Sequence, residues 1–139
     1  MKKSVLVLCT GNSARSQMAE GLLRAEAGGI LDVESAGTKP SHVRPEAIAA
    51  LRELGIDIGG HRSKHVDEFA GRHFDIVLTV CDHAREVCPV FPAATRMIHH
   101  SFPDPAAAGG AEEERLAAFR EVRDQIRGYI PEFLRQALQ

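Results

Sequence analysis

Val5-Leu6-Val7-Leu8 runs without a polar interruption and stops at Cys9. A short apolar run with no alternation suits a strand covered on both faces, the usual condition inside a parallel sheet. The residues that follow, Cys9-Thr10-Gly11-Asn12-Ser13-Ala14-Arg15-Ser16, are small and turn-tolerant. From 16 to 27 the positions Met18, Ala19, Leu22, Leu23 and Ala25 follow helical spacing up to a stop at Gly28-Gly29. The unit is therefore a strand, a tight turn and a helix.

The pattern repeats. Residues 33–36 read as a second strand, and Pro45 opens a helix whose Ala47, Ile48, Leu51 and Leu54 share a face before Gly55. Residues 75–80 form a third strand and 95–98 a fourth. Residues 106–111 read as a flexible loop, and after it Leu116, Phe119, Val122 and Ile126 mark a long amphipathic helix that Pro131 is expected to break or kink. Alternating strands and helices over 139 residues predict one α/β domain, 1–139. Its architecture is a doubly wound, roughly four-stranded parallel sheet with helices on both faces, and its ligand site lies beyond the carboxyl ends of the strands. Cys9 and Cys81 both fall there.

The segment from Cys9 to Ser16 has the chemistry of an anion site. Successive backbone N–H groups of Thr10, Gly11, Asn12, Ser13, Ala14 and Arg15 can converge on one oxyanion, and the following helix adds its positive end. Arg15 can fork two hydrogen bonds onto the same anion. That field is expected to depress the Cys9 thiol and make it a nucleophile, with Ser16 donating a hydrogen bond to the sulfur. The bland alternative is a buried cysteine that merely ends a strand.

On these residues the chain resembles the low-molecular-weight protein tyrosine phosphatase family, and more closely its arsenate reductase branch, over essentially its whole length. The resemblance implies that Cys9 is the nucleophile, Arg15 and Ser16 its partners, and Asn12 a brace for the loop. Gln17-Met18-Ala19-Glu20 is similar to the reductase form, where the phosphatases usually place proline directly after the hydroxyl residue. The resemblance also makes Asp104, in Phe102-Pro103-Asp104-Pro105, the proton donor to the departing oxygen, although Asp-Pro is also a frequent turn.

Cys81 and Cys88 distinguish reductase from phosphatase. Phosphoryl hydrolysis needs one thiol, whereas reducing arsenate to arsenite takes two electrons, which two thiols supply by forming a disulfide. The implied order is Cys9, then Cys81, then Cys88, with thioredoxin regenerating the final disulfide; a low-molecular-weight thiol is the other candidate reductant. Two other readings remain: a tyrosine phosphatase, which would want a tyrosine where Ala106-Ala107-Ala108 follows Asp104-Pro105, and a non-enzymatic thiol sensor, which leaves Asp104 idle.

Some relatives hold a potassium ion beside the loop with an asparagine, a glutamate, a serine and an aspartate. Asn12, Glu20 and Ser35 match three of these, and Lys64 stands in the place of the aspartate, so its ammonium is expected to replace the ion. Ala14 stands where several relatives carry a further cysteine, and His61 and His65 read as surface histidines. A metal site from Cys81 and Cys88 with His83, His99 or His100 fits poorly. The gap between the cysteines is wide for zinc, and adjacent histidines on a strand point to opposite faces. Neither metal nor cofactor is therefore expected. A net charge of -2 predicts no nucleic-acid partner. The short apolar run after Lys2-Lys3, with Leu8 where a small residue should precede cleavage, argues against a secretion signal, and no stretch is long enough to span a bilayer. A cytoplasmic protein is expected.

Overall fold

The computed structural model describes residues 2–82, 84 and 95–139. Cys88 lies outside the described residues, as do His83, Arg85 and Glu86. The elements are β1 (Lys3–Cys9), α1 (Arg15–Ala27), β2 (Leu31–Gly37), α2 (Pro45–Arg52), β3 (Ile76–Thr79), β4 (Arg96–His99) and α3 (Glu112–Ala137), with short 3-10 turns at Val66–Phe69 and Pro105–Ala107. The four strands are all parallel, in the order β2-β1-β3-β4. β1 is thus hydrogen-bonded on both sides, and Val5, Leu6, Val7 and Leu8 are all fully buried, which is why the run carries no polar residue. The register sets Cys9 opposite Gly37 and Leu8 opposite Thr79, so the chain leaves β1, β2 and β3 along one edge of the sheet.

The three helices named among the described residues touch one another. α1 comes close to α2 because residue 21 is glycine: a Cβ there would lie 2.6 Å from Leu51 Cδ1 and 2.8 Å from Ile58 Cγ2. The first half of α1 is buried nearly all round, polar Ser16, Gln17 and Glu20 included, whereas Ala25 faces solvent despite its helical spacing. α3 contributes Phe119, Val122, Ile126, Ile130, Phe133 and Ala137 to the core, at intervals of three and four residues. Pro131 does not break it. The ring lies on the exposed side, where water can take up the one carbonyl that loses its donor, while buried Ile130 and Phe133 hold the helix on either side. No helix of the described residues is long and apolar enough to cross a membrane.

Candidate active site

The chain from Cys9 to Arg15 wraps at the end of β1, and every carbonyl from residue 9 to 13 is bonded on the outside of the turn. Cys9, Thr10, Gly11 and Ser13 accept from the N–H groups of Thr38, Lys39, Ser41 and Arg44 at 3.3, 2.9, 3.1 and 3.0 Å, and the Asn12 carbonyl accepts from Gln17 Nε2 at 3.1 Å. With the carbonyls held outward, the amides turn inward, and those of Asn12 and Ser16 reach the Cys9 sulfur. Asn12 supplies the left-handed residue such a turn needs, at φ 47°. Gly37 is where the loop crosses β2: a Cβ would collide with the Thr10 carbonyl and lie 2.9 Å from the Asn12 nitrogen.

The loop lines a cavity of about 220 Å³ together with Asp104 and Arg44. Arg15 donates through Nη1 to the Phe102 carbonyl at 3.1 Å and stands 3.9 Å from Asp104. Asp104 also accepts from the Ala106 amide at 3.0 Å, which fixes its carboxylate at the turn after Pro103. Cys9 and Arg15 of the loop and the distant Asp104 thus share one small cavity, whereas Ala106 lines it without a ring.

Residues 4–139 match the family of low molecular weight phosphotyrosine protein phosphatases. The chain belongs to that family. An arsenate reductase of Halalkalibacterium halodurans is 46% identical over 132 residues, 95% of either chain. A solved arsenate reductase in the phosphate binding state superposes with a TM-score of 0.78 at 30% identity, covering 97% of this chain and 98% of that one. The thioredoxin-dependent arsenate reductase of Corynebacterium glutamicum gives a TM-score of 0.77 at 27% identity, covering 99% of this chain and 62% of that one.

In this member of the family the Cys9 sulfur is enclosed, with the residue 2% exposed. Burial pushes its thiol above the ordinary value; hydrogen bonds from the Ser16 side chain, the Ser16 amide and the Asn12 amide pull it down, while Cys81 opposes ionisation. The expectation of a depressed thiol is therefore corrected: enclosure outweighs the donors. Those donors are nonetheless well fixed. Ser16 Oγ lies 2.8 Å from Cys9 Sγ. Asn12 Oδ1 accepts from the Lys64 amide at 2.9 Å, which can only donate, so Asn12 Nδ2 must face Ser16 and Ser35 and donate to both, at 2.8 and 3.0 Å. That leaves the Ser16 hydroxyl proton free to donate to a thiolate at Cys9, and Ser35 directs its proton to Glu20 at 2.5 Å.

Buried Glu20 ends this chain of hydrogen bonds, 3.8 Å from Lys64 Nζ and 3.2 Å from Arg24. Lys64 is mostly enclosed and faces Glu20, not solvent. A monovalent cation does not fit these donors: the Asn12 carbonyl oxygen is already engaged by Gln17 and Lys64, and an ammonium stands at the carboxylate. The surface reading fails for His61, whose Nδ1 sits 3.0 Å from Gln17 Oε1 and 3.6 Å from Glu20. Burial, then Arg24 and Lys64, lower its pKa, against the pull of Glu20 and Glu34. His65 lies half open to solvent, capping the turn at Asp67.

Cys81, directly beyond β3, is buried, and its sulfur lies 3.4 Å from both the Thr10 hydroxyl and the Ala84 amide. His99 bonds Thr79 at 2.7 Å and Asp82 at 3.0 Å, while His100 stacks on Tyr129, so the two histidines do diverge.

Proposed function

We propose that this chain reduces arsenate to arsenite through a thiol–disulfide relay of Cys9, Cys81 and Cys88. The observation that carries the reading is the second buried thiol, Cys81, which touches the hydroxyl of Thr10, the residue next to Cys9. A hydrolase that needs one thiol has no use for it. The arsenate reductases among the relatives, one of them thioredoxin-dependent, support the same reading. Arg15 and the loop amides hold the oxyanion, and Ser16 shares its proton with the Cys9 sulfur as negative charge develops there. Cys9 and dihydrogen arsenate condense to a sulfur–arsenic bond with loss of one water, made from an arsenate hydroxyl and the thiol proton of Cys9, which Asp104 relays to the departing oxygen. Cys81 then attacks the Cys9 sulfur. The sulfur–arsenic bonding pair passes to arsenic, which goes from the +5 to the +3 state, and arsenite leaves behind a Cys9–Cys81 disulfide. Cys88 attacks Cys81 and frees Cys9, and an external dithiol protein of the thioredoxin type reduces the Cys81–Cys88 pair. The Lys64 ammonium takes the place of a cation beside the loop.

A phosphatase would share Cys9, Arg15 and Asp104, but Ala106 supplies no ring to grip an aryl group. The deciding experiment is arsenate-dependent NADPH oxidation with thioredoxin and thioredoxin reductase. Wild type is expected to turn over, and Cys9→Ser, Cys81→Ser and Cys88→Ser each to lose turnover. An inactive wild type that hydrolyses an aryl phosphate through Cys9 alone would make the chain a phosphatase.

A further inference from the structure

Arg44 has no part in the chemistry described so far, yet it lines the same cavity as Cys9, Arg15 and Asp104. Its position is fixed twice. Its amide donates to the Ser13 carbonyl at 3.0 Å, and Pro45 behind it keeps the residue extended, at φ −69° and ψ 134°. Its guanidinium makes no ion pair or hydrogen bond among the described residues. Arg15, by contrast, is held by Phe102 and Asp104, and Glu46, two residues after Arg44, is taken by Arg115 at 3.3 Å. Arg44 is half-buried and lines this cavity as well as a second cleft with Glu46 and Arg115, its fork uncommitted among the described residues, and an oxyanion is the ligand that such a fork matches.

Attack by Cys9 from the floor requires the departing group to face away from the sulfur, on the side where the carboxylate of Asp104 stands. In a free inorganic oxyanion that group is another oxygen, able to accept a hydrogen bond from a guanidinium; in a phosphate ester it bears carbon. We propose that Arg44 is a specificity-determining residue of the pocket, a second guanidinium that meets the outward oxygen of a free inorganic oxyanion and so favours it over esters of the same charge. The assignment rests on the oxyanion reading of the cavity, and not on the relay.

The test is calorimetric titration of the reduced full-length protein with inorganic phosphate and with phenyl phosphate, in wild type, Arg44→Gln and Arg44→Lys. Arg44→Gln is expected to weaken phosphate about tenfold, which is about 1.4 kcal/mol, with a smaller loss for phenyl phosphate and an intermediate value for Arg44→Lys, which keeps the charge but not the fork. In arsenate turnover, kcat/KM falls by at least the same factor. An unchanged phosphate Kd in Arg44→Gln, or a loss for phenyl phosphate as large as that for phosphate, overturns the assignment. So does a wild type that binds no phosphate. If phosphate binding depends on Arg44 while arsenate is not reduced, the relay fails and Arg44 keeps its role.

Discussion

Replacing Ser16 with alanine removes the side-chain hydrogen bond at the Cys9 sulfur while changing almost nothing in volume. The bond is 2.8 Å long and fully buried, and with Asn12 donating to Ser16 Oγ the hydroxyl proton of Ser16 is free to meet the thiolate as it forms. A hydrogen bond to a charged acceptor contributes about 1.5–3 kcal/mol, so at a fixed pH below the titration of Cys9 the thiolate fraction should fall roughly ten- to a hundredfold. The sign follows from the donors: loss of one that favours the thiolate leaves burial less opposed, and the proton is held to higher pH. The assay is the rate of iodoacetamide alkylation at Cys9, followed by peptide mass across pH 6–10, because only the thiolate reacts. Asn12 loses one acceptor in the variant but keeps Ser35, so the fold should survive with a loss of about 1–3 kcal/mol, measurable by urea denaturation. A Cys9 alkylation profile in Ser16→Ala that coincides with wild type, in a protein shown to be folded, would refute the argument that Ser16 is the donor.

Other outcomes follow from the same network. With Lys64 facing Glu20, turnover should be the same in potassium and sodium chloride at equal ionic strength, and a severalfold rise in potassium would refute the substitution of ammonium for ion. Gly37→Ala would push a methyl group into the Thr10 carbonyl; the expected cost is about 1–3 kcal/mol of overpacking, with phosphate binding lost because the loop must move, and an alanine variant that binds phosphate normally would contradict this. The His61 pKa is lowered in the fold, so the unfolded chain takes up the proton first. Stability is full above the ordinary histidine value, about 6.5, and is lost as pH falls through the folded value. His61→Gln, which keeps a donor for Gln17, should flatten that acid slope in denaturant titrations, and equal slopes in the two proteins would exclude His61 as its source.

Much of the site was legible in the residues. The uninterrupted run of β1, the helical spacing after Ser16 and the grouping of cysteine, small residues and arginine between them are local patterns, and local geometry follows from them. Asp104 between prolines and a thiol directly after a buried strand were legible for the same reason, once parallel strands had been inferred, because parallel strands end along one edge. The loop's outer scaffold left no such mark. It is built from backbone N–H groups of residues 38–44, and a backbone donor has no side-chain signature. Arg44 carries no signature either, because an arginine before proline at a helix start looks like any surface residue until β2 has carried it back to the loop. His61 and Gln17 read as polar filler, and only burial makes each choose a single partner.

By itself, then, the sequence determined the parallel α/β order, the position of the loop of residues 9–16 between β1 and α1, and which residue types stand at its rim, since each depends on neighbours within a few positions along the chain. Tertiary structure alone decided three things. Enclosure raises the Cys9 thiol despite the donors around it, because desolvation depends on everything packed over the sulfur. The ammonium of Lys64 comes to the carboxylate of Glu20, because β2, α2 and the segment after α2 carry the chain back to α1. Pro131 passes through α3 unbroken, because the helix turns that residue to water and its neighbours into the core.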